Sequence, residues 1–140
     1  MAEAIQESDC VLVVDGDVLV RHAIADYLRQ CGYIVIEASS TDEAEIVINE
    51  SSLAVDAVLC DAEAPGSRNA FAFRAWASEQ RQAVQIALAG NIDAAAQRAA
   101  ELCEQGPHLA RPYDPQGVVD YIRRLTGVRS SNAKVSGNGI

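Results

Sequence analysis

Three aspartates, Asp15, Asp17 and Asp61, stand where the chain could assemble a site for chemistry. Asp15 ends the apolar run Cys10–Asp15, Asp17 follows two residues later, and Asp61 ends a second apolar run, Ala54–Asp61. If both runs are buried parallel strands, their carboxyl ends meet at the same edge of one sheet. Carboxylates placed together repel one another unless a cation or a proton compensates, and their oxygens suit Mg²⁺. The spacing therefore predicts a carboxylate site, centred on Asp61, at the carboxyl ends of parallel strands.

Short apolar runs alternate with segments of helical periodicity along most of the chain. The predicted strands are Cys10–Asp15, Tyr33–Ala38, Ala54–Asp61, Val84–Ala89 and a short fifth run at about Pro107–Ala110. Between them, apolar residues recur at helical spacing, and helix signals mark the ends: Gly32 as a stop, Ser40 with Glu43 as a capping box, Asp93 as an N-cap and Pro115 at a first turn. This alternation predicts an α/β fold with a doubly wound, five-stranded parallel sheet.

One domain accounts for the pattern, at residues 9–126. Residues 1–8 form a polar N-terminal extension, and residues 127–140, rich in Ser, Asn and Gly, are predicted to be a disordered tail. With 49% hydrophobic but only 5% aromatic residues, the core must be largely aliphatic. Phe71, Phe73 and Trp76, on the helix predicted at Ala70–Arg81, are expected to pack inside.

Charge and cysteine usage exclude several classes of function. The net charge of −9 and the scattered basic residues are incompatible with a nucleic-acid interface, which needs a basic stripe. The sequence has neither a signal peptide pattern nor an apolar run long enough for a membrane, so we expect a cytoplasmic protein. The four cysteines form no CxxC pair and are predicted to be buried thiols in a reducing compartment. With only His22 and His108 available, a zinc site has poor prospects.

The ordered motifs resemble the receiver domain of two-component response regulators. The resemblance covers residues 9–126 and is most specific at Asp61 followed by Ala64-Pro65-Gly66, and at the pair Arg111-Pro112. It rests on four segments in the right order, VLVVDGDVLVRHAIADYL, CGYIVIEA, VDAVLCDAEAPG and ARPYDP. The run PGSRNAFAFRAW is most similar to short, single-domain bacterial receivers. The resemblance implies a flavodoxin-like topology with strand order 2-1-3-4-5.

The resemblance also implies roles for individual residues. Asp61 would accept a phosphoryl group from the phosphohistidine of a kinase, with Mg²⁺ neutralising the phosphoryl oxygens. The metal ligands would be Asp61, the backbone carbonyl of Glu63 and, partly through water, Asp15. The implied function is that of a single-domain response regulator in phosphorelay signal transduction, which is not an enzyme. Its partner would be a histidine kinase or a phosphotransfer protein.

Four positions depart from the family pattern. Gly16 replaces the second of two adjacent acids, and Asp17 is a candidate substitute one residue further along. Ala89 stands at the position of a Thr or Ser hydroxyl that bonds the phosphoryl group, so a hydrogen bond worth roughly 1.5–3 kcal/mol is lost. Arg111 replaces the family lysine that pairs with phosphate, and His108 occupies the position of an aromatic switch residue. These changes predict a weakened Mg²⁺ site and slow phosphorylation.

Two other functions remain open from the sequence. The first is a phosphorylation-independent pseudo-receiver that binds a partner protein through its last helix–strand–helix face. The second is a phosphatase of the haloacid-dehalogenase type, in which Asp15 would be the nucleophile and Asp17 the general acid. That chemistry also needs a lysine, and the only one is Lys134 in the predicted tail. Val119 and Tyr121, beside the core stripe of the last helix, suggest a homodimer contact.

Overall fold

The structure, a computed structural model, describes residues 9–50, 54–81, 84–105 and 116–124. Strands and helices alternate in the described residues up to Gln105, and residues 116–124 form a further helix. The strands are β1 (Cys10–Val14), β2 (Ile34–Ala38), β3 (Val55–Asp61) and β4 (Gln85–Ala89). The helices are α1 (Val18–Gln30), α2 (Thr41–Asn49), α3 (Ala70–Gln80), α4 (Ile92–Gln105) and α5 (residues 116–124).

The four strands form one parallel sheet in the order β2-β1-β3-β4. Val14 at the end of β1 lies opposite Ala38 on one side and Cys60 on the other. This order agrees with the predicted α/β fold and with the strand order expected for its first four strands. The predicted fifth strand at Pro107–Ala110, the N-terminal extension, Pro115 and the predicted tail lie outside the described residues.

Alternate strand residues pack into two separate cores, one on each face of the sheet. Val11 and Val13 of β1 face α1, α4 and α5, whereas Leu12 and Val14 face α2 and α3. This division follows from the two-residue period of a strand, which sends successive side chains to opposite faces. We call these faces the α1 face and the α2 face. Helix α4 therefore leaves the end of β4 and packs on the α1 face.

Polar residues cap the helices at their amino ends. The carboxylate of Asp17 caps α1, and the hydroxyl of Ser40 and the amide of Asn69 cap α2 and α3. The capping residue of α4 is Asn91, whose Oδ1 accepts the N–H of Ala94 at 2.8 Å. The prediction of Asp93 as this cap was wrong, because the helix already begins at Ile92 and Asp93 lies in its first turn.

The cysteine prediction was right about burial and wrong about Cys31 and Cys103. All four cysteines are buried, but Cys31 and Cys103 form a disulfide with a Cα–Cα distance of 5.6 Å. Cys10 and Cys60 are free thiols. The two bonded cysteines are 72 residues apart in the chain, so no local sequence motif predicts the bond. Only the packing of α4 against α1 brings the carboxyl ends of these two helices together.

The aromatic side chains of α3 do not all pack inside. Phe73 is fully buried and Trp76 is half-buried, but Phe71 is 59% exposed, so its predicted burial was wrong. Residues two apart on an α-helix point about 200° apart, so Phe71 and Phe73 cannot share a face. Among the described residues, no helix has the length and apolar character needed to cross a membrane.

Candidate functional site

The carboxyl ends of β1 and β3 bring Asp15 and Asp61 to one edge of the sheet. Asp61 is the last residue of β3, and Asp15 follows the last residue of β1 directly. Both positions are held by the backbone, because the N–H of Asp15 donates to Ala38 O at 3.0 Å and that of Ala62 donates to Ala89 O at 2.9 Å. The sequence-based prediction of their convergence is in keeping with this geometry.

A cavity of about 230 Å³ opens beside these two carboxylates. It lies at the amino ends of α1 and α4, on the α1 face of the sheet. We call it the acidic cavity, because its charged lining residues are all acids. Its lining consists of Asp15, Asp17, Asp61 and Asn91, together with Cys60 and the apolar residues Val13, Val14, Val20, Ile24, Leu59, Ala89, Ile92 and Ala95.

Asp15 is the most perturbed acid of the cavity. Burial, with the nearby carboxylates of Asp61 and Asp17, raises the pKa of Asp15 from 3.8 to about 6. Two opposing effects are smaller in total: the N–H of Asp17 donates to Asp15 Oδ1 at 2.8 Å, and the guanidinium of Arg21 lies nearby. A cation stabilises the ionised form of a nearby carboxylate. A cation bound beside Asp15 would therefore lower the pKa that burial and the neighbouring acids raise.

Asp61 is half-buried, and one of its carboxylate oxygens is already engaged. Its Oδ1 accepts the N–H of Glu63 at 3.1 Å, while its backbone carbonyl accepts the N–H of Ala64 at 3.0 Å. In the described part of the chain, no hydrogen bond engages Oδ2. The tight turn that follows β3 thus orients the side chain and leaves one oxygen available as a nucleophile or a metal ligand.

Asp17 is primarily a helix cap. Its Oδ1 accepts the N–H groups of Leu19 at 2.9 Å and of Val20 at 3.3 Å, the geometry of an N-cap carboxylate. This bonding holds the side chain toward the first turn of α1, although Asp17 also lines the acidic cavity. The same bonding weakens the phosphatase hypothesis, because its general acid would have to leave this cap.

A side chain at position 16 would be in tight contact with Pro65. A Cβ atom built on Gly16 would lie 3.0 Å from Cδ and 3.2 Å from Cγ of Pro65. A second acid here would require the proline ring of the β3–α3 loop to move by a few tenths of an ångström. No pattern in the sequence links positions 16 and 65, so this contact became visible only in the structure.

The β3–α3 loop is fastened to the amino end of α2. Thr41, which is fully buried, donates its N–H to Pro65 O at 2.8 Å and its hydroxyl to Arg68 O at 2.7 Å. The N–H of Ser67 donates to Asp42 Oδ2 at 3.1 Å. Gly66 has a positive φ of 140° and no space for a Cβ beside Thr41. These bonds hold the backbone next to Glu63 in place.

Ala89 and Asn91 line the side of the cavity at the end of β4. Ala89 lies opposite Asp61 in the β3–β4 register, is only 3% exposed, and offers no side-chain hydroxyl at this position. Asn91 was missed by the sequence analysis. Its signal was an asparagine just ahead of an Ala-rich segment, which is the position of an N-cap.

The other predicted site residues, Arg111 and His108, lie outside the described residues. Two basic side chains of α1, those of Arg21 and His22, contact Glu37. Arg21 donates from Nη1 to the carbonyl of Asp15 at 3.0 Å and from Nε to Glu37 at 3.0 Å. His22 is an exposed residue whose Nδ1 lies 3.1 Å from the Glu37 carboxylate, in keeping with a surface role.

The donors present suit a hard cation such as Mg²⁺. Asp15, Asp61 and the backbone carbonyl of Glu63 all offer oxygen, and Mg²⁺ takes one or two carboxylates with water or phosphate completing its shell. Among the described residues, no three His, Cys, Asp or Glu side chains are grouped closely enough to hold a metal ion by themselves. The donor set therefore fits a cation that depends on water and phosphate for most of its ligands.

Solved structures with the same fold are response regulator receiver domains. A CheY-like receiver domain from Methanospirillum hungatei has a TM-score of 0.55 at 15% identity over 89% of this chain and 98% of that chain. The chemotaxis response regulator CheY4 of Vibrio cholerae has a TM-score of 0.55 at 18% identity over 84% and 98%. The HemR receiver domain from Leptospira biflexa has a TM-score of 0.53 at 21% identity over 84% and 93%.

No protein-family model matches the sequence, and no curated protein matches it. The structural likenesses cover most of this chain and nearly all of each receiver domain. They establish the receiver-type α/β fold, which places the end of β3 at the same edge as the end of β1.

Proposed function

We propose that this chain is a single-domain response regulator receiver that accepts a phosphoryl group on Asp61. One observation carries the proposal: Asp61 ends β3 beside Asp15 in the acidic cavity of a receiver-type fold. Its Oδ1 is oriented by the N–H of Glu63, which leaves Oδ2 as the attacking atom. The nucleophile is thus at the carboxyl edge of the sheet, where open α/β folds bind their ligands.

The proposed reaction transfers one phosphoryl group without loss of atoms. Oδ2 of Asp61 attacks the phosphorus of a phosphohistidine, and an O–P bond forms while the P–N bond breaks. The released histidine nitrogen takes up a proton from solvent. The product is an acyl phosphate on Asp61, and the phosphoryl oxygens carry the charge that a cation must neutralise.

Mg²⁺ is the proposed cofactor, and it would supply charge neutralisation at the phosphoryl oxygens. Asp61, Asp15 and the carbonyl of Glu63 would hold it, in a site weakened by the absence of an acid at Gly16. Arg111 is the proposed phosphate-pairing cation, and His108 the proposed switch position. Both assignments rest on the sequence resemblance.

The proposed partners follow from this chemistry. The donor is a histidine kinase or a phosphotransfer protein, and the proposed place of action is the cytoplasm. The chain is proposed to act as a signalling module and not as an enzyme, through residues 9–126. A homodimer through α5 remains a proposal, supported by Tyr121, which is exposed, more than by Val119, which is buried.

Phosphodonor labelling tests the proposal. The full chain, incubated with Mg²⁺ and acetyl phosphate or phosphoramidate, should gain one phosphoryl group in an intact-mass measurement. Asp61→Asn should abolish the adduct, and the matched control Asp26→Asn, at an exposed aspartate of α1, should keep it. An adduct that survives Asp61→Asn would overturn the assignment of Asp61.

The second candidate is a pseudo-receiver that signals without phosphate. Two observations favour it: Pro65 would crowd an acid at position 16, and Ala89 offers no hydroxyl opposite Asp61. Under this hypothesis no adduct forms with any donor, and the fold serves only as a binding surface. The labelling experiment on the unaltered chain separates the two functions directly.

A further inference from the structure

The acidic cavity holds one side-chain N–H donor among its described lining residues. That donor is the carboxamide of Asn91, and every other described lining side chain is an acid, a thiol or apolar. A phosphorylated Asp61 places several anionic oxygens in this cavity. An anionic oxygen surrounded by carboxylates is unstable unless donors or cations meet it. On the β4 side, Ala89 has no polar side-chain group, so another residue of this chain has to donate to the phosphoryl oxygens.

The orientation of Asn91 is determined by its role at α4. Its Oδ1 accepts the N–H of Ala94 at 2.8 Å, and its backbone carbonyl accepts the N–H of Ala95 at 3.0 Å. With Oδ1 held by the helix, Nδ2 points away from the first turn of α4. In the described part of the chain, no hydrogen bond engages Nδ2. An amide donor is thus held at the wall of the cavity, and its two N–H groups are not engaged by any of the described residues.

The position of Asn91 relative to Asp61 depends on regular structure at both ends. Asp61 lies opposite Ala89 in the β3–β4 register, and the N–H of Ala62 donates to Ala89 O at 2.9 Å. Asn91 follows Ala89 by two residues and is fixed by the first turn of α4. Because regular structure holds both Asp61 and Asn91, little conformational entropy is lost when Asn91 binds a group on Asp61.

We propose that the carboxamide of Asn91 binds the phosphoryl group on Asp61 and takes the part that a hydroxyl at position 89 would play. The inference rests on the proposed function and adds a phosphate-binding residue to it. Nδ2–H donates to a phosphoryl oxygen, while Oδ1 stays bonded to Ala94, so α4 is coupled to the phosphorylated state through one side chain. Asn91 then links the chemistry at Asp61 to a helix that packs against α1.

Substitutions at Asn91 test the proposal by separating the donor from the cap. Asn91→Ser retains a capping oxygen but removes the amide, and Asn91→Asp retains the cap and replaces the donor with a negative charge. Labelling of Asp61 by acetyl phosphate should slow, or its acyl phosphate should decay faster, by roughly tenfold to a hundredfold in Asn91→Ser. We expect a larger loss in Asn91→Asp, because a further carboxylate repels the phosphoryl group.

The chain offers a matched control at Asn69. Its Oδ1 caps α3 through the N–H of Ala72 at 2.8 Å, the same geometry as at Asn91, but it does not line the acidic cavity. Asn69→Ser should therefore cost the same capping energy and leave labelling unchanged. A rescue variant, Ala89→Ser in the Asn91→Ser background, returns a hydroxyl opposite Asp61 and should recover part of the lost rate.

A second measurement detects the contact of Asn91 with a phosphoryl mimic and needs no phosphoryl transfer. On addition of beryllofluoride and Mg²⁺, the side-chain amide resonances of Asn91 should shift, whereas those of Asn69 should not. Wild-type rates and acyl phosphate lifetimes in Asn91→Ser, or an unmoved Asn91 amide when beryllofluoride binds, would overturn the assignment of Asn91 alone. If the unaltered chain takes no phosphoryl group and no beryllofluoride, the proposed function fails and this inference fails with it.

Discussion

The two sides of Asp61 are built differently. On the α2 face, hydrogen bonds from Thr41 and Ser67 fasten the β3–α3 loop to α2, and the loop backbone at Gly66 lies too close to Thr41 for a Cβ atom. On the α1 face, the acidic cavity separates Asp61 from the amino ends of α1 and α4. Those two helices pack against each other, and the Cys31–Cys103 disulfide joins their carboxyl ends.

This difference assigns separate tasks to the two faces. The fastened loop is suited to holding the carbonyl of Glu63 as a fixed metal ligand. The open side has the space and the uncommitted donor of Asn91 that a phosphoryl group requires. A response to phosphorylation is therefore expected in α4 and not in the β3–α3 loop. The predictions below test each face in turn.

Breaking the disulfide should have the largest effect and should act on the α1 face. A cross-link that closes a loop of 72 residues stabilises the folded state on the order of 4 kcal/mol. Reductant should lower the free energy of unfolding of the wild-type chain to that of Cys31→Ser, as measured by urea denaturation. Cys31→Ser itself should not respond to reductant, and a wild-type curve that is unchanged by reductant would contradict the bond.

Gly66→Ala should be the most damaging single change on the α2 face. The new Cβ would lie 2.0 Å from Thr41 Oγ1 and 2.9 Å from Thr41 N, at a φ of +140° that side chains rarely adopt. We expect a loss of about 3 kcal/mol in the free energy of unfolding. Gly90→Ala is the control, because nothing lies within 4 Å of its Cβ position. Equal stability of the two variants would show that the loop is not fastened.

A second acid at position 16 should improve Mg²⁺ binding more when Pro65 is replaced by a smaller residue. Gly16→Asp alone forces the proline ring aside, since the Cβ position lies 3.0 Å from Pro65 Cδ. Gly16→Asp combined with Pro65→Ala should bind Mg²⁺ roughly tenfold more tightly than wild type, because a third carboxylate joins the site. Calorimetric Mg²⁺ titration of both variants and of Pro65→Ala checks this, and equal affinity in all three would refute it.

Asp15→Asn should have the smallest effect and one that depends on pH. The folded chain keeps a proton on Asp15 up to a pKa of about 6, whereas the unfolded chain releases it near 3.8. Between pH 3.8 and about 6, the folded state therefore binds more protons than the unfolded state. Ionised Asp15 thus destabilises the folded state above about pH 6, and this destabilisation disappears as the pH falls toward 4.

Because Asp15 is only half-buried, solvent reduces this destabilisation to about 1 kcal/mol. Asp15→Asn should thus raise the free energy of unfolding by that amount at pH 7.5 and leave it unchanged at pH 4. Added Mg²⁺ should stabilise the wild-type chain at pH 7.5 more than the variant. A stability difference that is the same at both pH values would contradict the raised pKa.

Much of the fold and the centre of the site were predictable because their signals are local. The apolar runs that end at Asp15 and Asp61 predicted two strands whose ends meet, and Ser40 with Gly32 marked helix ends correctly. Local signals failed where a neighbouring residue competed. Asp93 was predicted to be the cap of α4, but Asn91 is the capping residue. Phe71 was expected in the core, but the helical period places it on the exposed face of α3.

The contacts that decide how the site works join positions that are far apart in the chain. Pro65 against Gly16, Thr41 beneath Gly66, and Cys31 bonded to Cys103 have no signature in the sequence, because each depends on how helices and loops pack on the finished sheet. The sequence by itself determined the alternation of strands and helices and the placing of Asp61 at a strand end, since period and strand length are local properties. Only the tertiary structure decided that Asp17 caps a helix, that Pro65 crowds position 16, and that Asn91 lines the cavity, since packing and hydrogen-bond competition depend on how the elements come together.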